Sequence, residues 1–164
     1  MSASACRKTN GLGLHLRTSR LYLHAVQGLF ERDFGSSRPD FRGKRMGLKR
    51  HPPVEGMPAT LWHMISEGMG EDQLTLALRR CERIAWPRAM LLAAEDERRV
   101  LVWEERDPRQ GAKFLLTLPD FSYLFVVDDR EEFVLPWTAY PVEHEHSRRK
   151  LRMRFEQARN PRKS

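Results

Sequence analysis

Between Arg98 and Val142 four short runs rich in β-branched and aromatic residues follow one another: RVLVWEE (99–105), AKFLLTL (112–118), SYLFVV (122–127) and EFVLPWTAYPV (132–142). Such runs read as strands. The turn chemistry between them, Arg106 to Gly111, Pro119-Asp120 and Asp128 to Glu131, is short enough to join antiparallel neighbours. A four-stranded antiparallel meander is the simplest topology. In the fourth run, strict alternation puts Phe133, Leu135, Trp137 and Ala139 on one face and Val134, Pro136, Thr138 and Tyr140 on the other. Pro136 and Pro141 cannot donate to a ladder, which predicts an edge strand or a bulge.

Helical spacing flanks this region. Leu61, Met64 and Ile65 predict a helix from Pro58 to Glu67, stopped by Gly68 and Gly70. Leu74, Leu78 and Cys81 predict another over Glu71 to Arg83, with Asp72 near its start and Arg79, Arg80 and Arg83 near its end, the order that the helix dipole favours. Trp86-Pro87 interrupts the pattern, and the apolar stretch from there to Ala94 fits either a short helix or a strand. Leu21 to Phe34 fits a short amphipathic helix, whereas Gly35 to Pro58, rich in glycine, serine, proline and basic residues, reads as a linker or arm. Leu151 and Phe155, four apart, predict a basic C-terminal helix. The expectation is an α+β domain over residues 58–158, with N-terminal helices packed on the four-stranded sheet, preceded by a basic leader (1–57) and followed by a basic tail (159–164).

Charge sharpens this outline. The net charge of +7 divides into +7 for Met1 to Glu55, −7 for Gly56 to Ser147 and +7 for Arg148 to Ser164. An acidic to neutral body with two basic ends suits a polyanionic partner, and nucleic acid is the expected one. The plainer alternative is a solvated leader and an ordinary charged helix. No run approaches the roughly 18 apolar residues of a membrane span, and the first residues lack the apolar core of a secretory signal, so a cytoplasmic protein is expected. Cys6 and Cys81 stand in unlike contexts and read as reduced thiols without a role.

The signatures of P-loop, dinucleotide-binding, zincin and serine-hydrolase chemistry are missing from the sequence. His144 and His146 could share a metal only if the segment is extended, since i,i+2 positions on a helix diverge, and no third ligand is close in sequence. A ribonuclease that works without metal needs a base for the ribose 2′-proton, an acid for the leaving oxygen, and cations or hydroxyls for the phosphorane charge. Thr138, Tyr140, Glu143, His144, His146 and Arg148 supply that set within eleven residues. Against it, Thr and Tyr are favoured in any strand, and a His beside an Arg-rich helix is often only solvated. Trp62, Trp86, Trp103 and Trp137 could stack bases, yet each lies within an apolar pattern that suits a core. Arg88 could reach a phosphate or cap a helix.

The block ERIAWPRAMLLA, then VLVWEE, AKFLLTL and FSYLFVVDDREEFVLPWTAYPVEHEHSRRKLRMRFE, resembles the phage-borne branch of the barnase/EndoU/colicin/RelE-like nuclease superfamily. The resemblance covers roughly residues 80–157 and is carried by the strand SYLFVVDDR, the strand end TAY and the helix start from His146 to Leu151. It implies a metal-independent endoribonuclease with no cofactor, a toxin or phage effector whose working groups lie on the exposed sheet face and nearby loops. By position it points to Thr138, Tyr140 and His146, with Arg88 or Arg130 as a phosphate-binding cation, while the base falls to His144, His146 or Glu143. RNA is the expected partner, bound also by Arg148, Arg149, Lys150 and Arg152, and an acidic inhibitor or antitoxin protein is a candidate second partner. Two other readings are a nucleic-acid-binding accessory protein without catalysis and a protein-interaction module recruited through the acidic body.

Overall fold

The computed structural model describes residues 11–68, 75–109 and 111–160. In chain order these form helix α1 (Gly11–Phe30), which continues as a π-helical turn (Glu31–Ser36), strands β1 (Asp40–Phe41) and β2 (Lys44–Met46), and helix α2 (Ala59–Ile65). Then come β3 (Ser66–Glu67), β4 (Thr75–Leu76), the single turn α3 (Leu78–Cys81) and α4 (Trp86–Leu92). Strands β5 (Leu101–Asp107), β6 (Gly111–Thr117), β7 (Tyr123–Asp129) and β8 (Phe133–Pro141) lead into α5 (Glu145–Arg159).

The α+β class holds, but the sheet is not a four-stranded meander. It has six strands in the order β1-β2-β8-β7-β6-β5. β5 to β8 pair antiparallel in succession, and β2 then adds to the far side of β8 in parallel, with Met46 opposite Val134. The extra strands come from the stretch that composition marks as an arm. Arg42 and Gly43, with φ of 52° and 76°, form the two-residue turn that joins β1 to β2, and positive φ at both central residues is what a tight hairpin requires. Val26, Phe30, Phe34, Phe41, Met46 and Met57 all enter the main core. The expected boundary at residue 58 therefore gives way: from Val26 onward the leader is part of the domain, because its scattered apolar residues share the core that packs on the sheet.

The Glu71–Arg83 helix is also corrected. Residues 71–74 lie outside the described part, Thr75–Leu76 pair with Ser66–Glu67, and only Leu78–Cys81 are helical. The Ala77 N–H donates to Ile65 O at 2.8 Å, and Leu78, a member of the expected apolar stripe, is 59% exposed. Tertiary pairing of the backbone overrides the periodicity here. The ambiguous segment after Trp86 is α4, which tolerates Pro87 because a proline in the first helical turn lacks only an N–H that would have no partner.

Both faces of the sheet are covered. Phe114, Leu116, Phe125 and Val127 meet the N-terminal helices in the main core, while the alternate residues Trp103, Leu115, Leu124 and Val126 meet Leu151 and Phe155 of α5. The resemblance places working groups on an exposed face; α5 instead closes that face over β5 to β7. Aspartates order the turns, with Asp120 accepting from the Ser122 N–H at 2.9 Å and Asp129 from the Glu131 N–H at 3.1 Å. Leu151 is 5% exposed and anchors α5, so Leu151→Ala is expected to cost about 2–5 kcal/mol in urea denaturation. A loss under about 1 kcal/mol would mean that ion pairs and Phe155 alone hold the helix.

Candidate functional site

β8 carries a bulge. Val126 faces Thr138 but Val127 faces Pro136, so Trp137 is the extra residue. The ladder thereby accommodates Pro136 at a central position, and pairing with β2 ends before it, at Phe133 and Val134. The bulge also inverts the strict alternation: Val134 and Ala139 both enter the main core, whereas Trp137 and Tyr140 pack toward α5. Ala139 therefore leaves the face that alternation assigned to it, and Tyr140 is delivered to the sheet face where α5 starts.

At that point the end of β8, the first turns of α5, the β3–β4 ladder and α3 enclose a groove of about 780 Å³. Tyr140, Glu143, His144 and Lys150 line it from one side, and Arg79 and Arg80 from the other. The strand-to-helix joint is held by Val142, whose N–H donates to Ser122 O at 2.7 Å, and by Arg148 Nε, which donates to Val142 O at 2.8 Å. His144 occupies the N-cap position of α5 with an extended backbone, φ −85° and ψ 132°. Its carbonyl accepts from the Ser147 and Arg148 N–H groups, and its ring makes no capping bond. Being outside the helix, the ring can stack on that of His146, with centroids 5.8 Å apart.

Arg80 is the least satisfied cation here. Its guanidinium lies 5.1 Å from the centre of the Tyr140 ring, and one Nη donates to Ser66 O at 2.5 Å. Its Nε is buried without a partner. Burial lowers the pKa of Arg80 from its ordinary value, opposed by Glu67, Tyr140 and Tyr123, but an arginine stays protonated. As a cation lining the groove, Arg80 is suited to an oxyanion. Arg79 crosses the groove to an ion pair with Glu143, and Arg154 is held by a two-pronged pair with Glu105, at 2.9 and 2.6 Å. Burial would raise the Glu105 pKa, but Arg154 and the Trp103 indole N–H outweigh it and hold the carboxyl below its ordinary range.

The structure gathers Tyr140, Glu143, His144 and Lys150 and leaves the other expected residues elsewhere. His146 is exposed beside the groove, 3.3 Å from Ser147 Oγ, without lining it. Thr138 lies one step back on the same strand face as Tyr140. Arg148 is used within the joint, Arg152 covers Phe121 at 5.2 Å, and Arg149 is exposed without an ion pair among the described residues. Arg130 sits at the opposite end of β8, 2.6 Å from Asp128. Arg88 is on α4 with one buried unpartnered Nη, away from the groove. Sequence reasoning missed Arg79 and Arg80 as site residues by assigning them to the end of a longer helix; their adjacency in a turn after Gly68 and Gly70 was the available signal. Among the described residues no three His, Cys, Asp or Glu side chains converge to hold a metal ion, and no helix is long and apolar enough to cross a membrane. No family model, no curated protein and no solved structure matches the chain.

Two outcomes are expected from α3. Added phosphate is expected to raise the thermal stability of the parent protein, and Arg80→Met should keep the fold, since it removes a desolvated charge while filling similar space, yet lose that gain; an equal gain in the variant would place the anion elsewhere. Next to it, burial raises the Cys81 thiol from 9.0 to about 11. The folded state thus prefers the neutral thiol, and its contribution is complete below about pH 9 and lost as pH rises toward about 11. Denaturation across that window should show a shallower decline for Cys81→Ala than for the parent.

Proposed function

We propose that the chain is a metal-independent endoribonuclease acting in the groove at the β8–α5 joint. The observation that carries the reading is the convergence of His144, Glu143 and Tyr140 on one groove with the incompletely partnered Arg80 and with Lys150. In the proposed reaction the ribose 2′-oxygen attacks phosphorus while a base takes its proton. The bond from phosphorus to the 5′-oxygen breaks, and an acid protonates that oxygen, leaving a 2′,3′-cyclic phosphate and a 5′-hydroxyl. In this reading Glu143 serves as the base and His144 as the acid, both lining the groove where β8 meets α5. Arg80 and Lys150 hold the added negative charge of the phosphorane, and the Tyr140 hydroxyl offers a further donor.

His144 takes the place that sequence reasoning gave to His146, because only His144 lines the groove. Binding of nucleic acid without cleavage is the second reading, favoured by the ion pair that already engages Glu143 with Arg79. The deciding assay is cleavage of labelled single-stranded RNA, transfer RNA and DNA in EDTA. RNA alone should be cut, with His144→Ala slower by about 10²–10⁴-fold and His146→Ala close to the parent. Unimpaired cleavage by His144→Ala would remove this assignment, and binding without cleavage by the parent protein would favour the second reading.

A further inference from the structure

Of the tryptophans, Trp103 is 5% exposed and Trp62 and Trp137 pack against the two cores, but Trp86, at the start of α4, is 41% exposed. Its ring is nevertheless held. Tyr123 packs against it from the core with centroids 5.0 Å apart, and the Arg83 guanidinium lies 5.3 Å from its centre. Trp86 borders a cleft of about 320 Å³ floored by Ala89, Met90, Val100 and Leu118, with exposed Arg99 at its edge. The same stack is continuous with the basic groove, because Arg83 donates to Arg79 O at 2.9 Å and Arg79 lines that groove.

A fixed aromatic ring with a guanidinium on it, an apolar floor and a second cation at the rim suits a planar ring attached to a phosphate. The cleft lies at the small end of ligand sites and is too small for a partner helix. Bases splayed from a single strand stack on aromatic rings and on guanidinium planes, whereas paired bases are hidden within the duplex. We infer that Trp86 and Arg83 form a base-stacking subsite beside the groove, which makes single-stranded nucleic acid the ligand of this surface. The inference builds on the proposed reading of the groove by naming the form of the substrate, and it can be tested without cleavage.

The probe is a short single-stranded oligonucleotide of 2′-deoxy nucleotides, which lacks the attacking hydroxyl, compared with the same strand annealed to its complement. Binding to the full chain is followed by tryptophan fluorescence and by anisotropy of a labelled strand. The single strand should quench fluorescence, and Trp86→Ala should bind it about tenfold more weakly while binding the duplex like the parent. Trp86→Phe keeps an aromatic ring over Tyr123 and should retain most of the affinity but lose the quench, which guards against a fold lost in the alanine variant. Equal affinity for strand and duplex, or parent-like binding and quenching in both variants, overturns the inference. Stacking at Trp86 without any RNA cleavage by the parent would defeat the ribonuclease reading alone; RNA cleavage with KM unchanged in Trp86→Ala would defeat the subsite alone.

Discussion

The arrangement turns on one extra residue in β8. A strand with a proline at its centre sits poorly between two hydrogen-bonded neighbours, and the bulge at Trp137 resolves this by shifting the register between Val126 and Val127. The shift has two effects that cannot be separated. It sends Ala139 into the main core, where a small residue fits under Phe125, its cross-strand partner. It also turns Tyr140 to the other face, where the chain then bends at Val142 and enters α5. Without that change of phase, Tyr140 would point into the core with Ala139 on the groove side, and the groove would have no aromatic wall.

Once β8 ends in this orientation, the joint to α5 determines which charges stay available. Arg148 is committed to Val142 O, Arg154 to Glu105 and Arg159 to Glu97, so half of the basic residues from Arg148 to Arg159 fasten the helix to the body. Most of these pairs are exposed and individually weak, but together they orient a helix whose apolar anchors are Leu151 and Phe155. Lys150 is left to the groove and Arg149 to solvent. On the facing wall the balance differs, because Arg80 is buried with an unpartnered Nε, which costs desolvation energy.

The surface formed by α3 and the start of α4 joins these features. Arg79 and Arg80 on α3 and Arg83 just beyond it meet different partners: the Glu143 carboxylate, the Tyr140 ring, and the Glu82 carboxylate together with the Trp86 ring. Three cations so close in sequence repel each other, and each is offset by a carboxylate or a π face.

Alternation and turn chemistry alone determined that β5 to β8 exist, where they begin and end to within a few residues, and that a basic helix follows. These are local properties, set by strand periodicity, by aspartates in tight turns and by the Leu151–Phe155 spacing. The apolar stripe of α2 was equally legible, because Leu61, Met64 and Ile65 are all fully buried. Tertiary structure decided the rest. Phe30 and Phe34 lie in the amphipathic stretch of the basic leader and Met46 in a stretch whose composition reads as an arm, and only the main core and, for Met46, the partner surface of β8 make them interior. The phase of β8 could not be read either, since a proline permits an edge strand or a bulge and the choice depends on whether another strand lies alongside. In the site, Tyr140, Glu143, His144 and Lys150 were visible as a cluster in sequence, whereas Arg79 and Arg80, some sixty residues earlier, were not. Their meeting depends on long-range packing of α3 against the end of β8, a contact that no local pattern encodes.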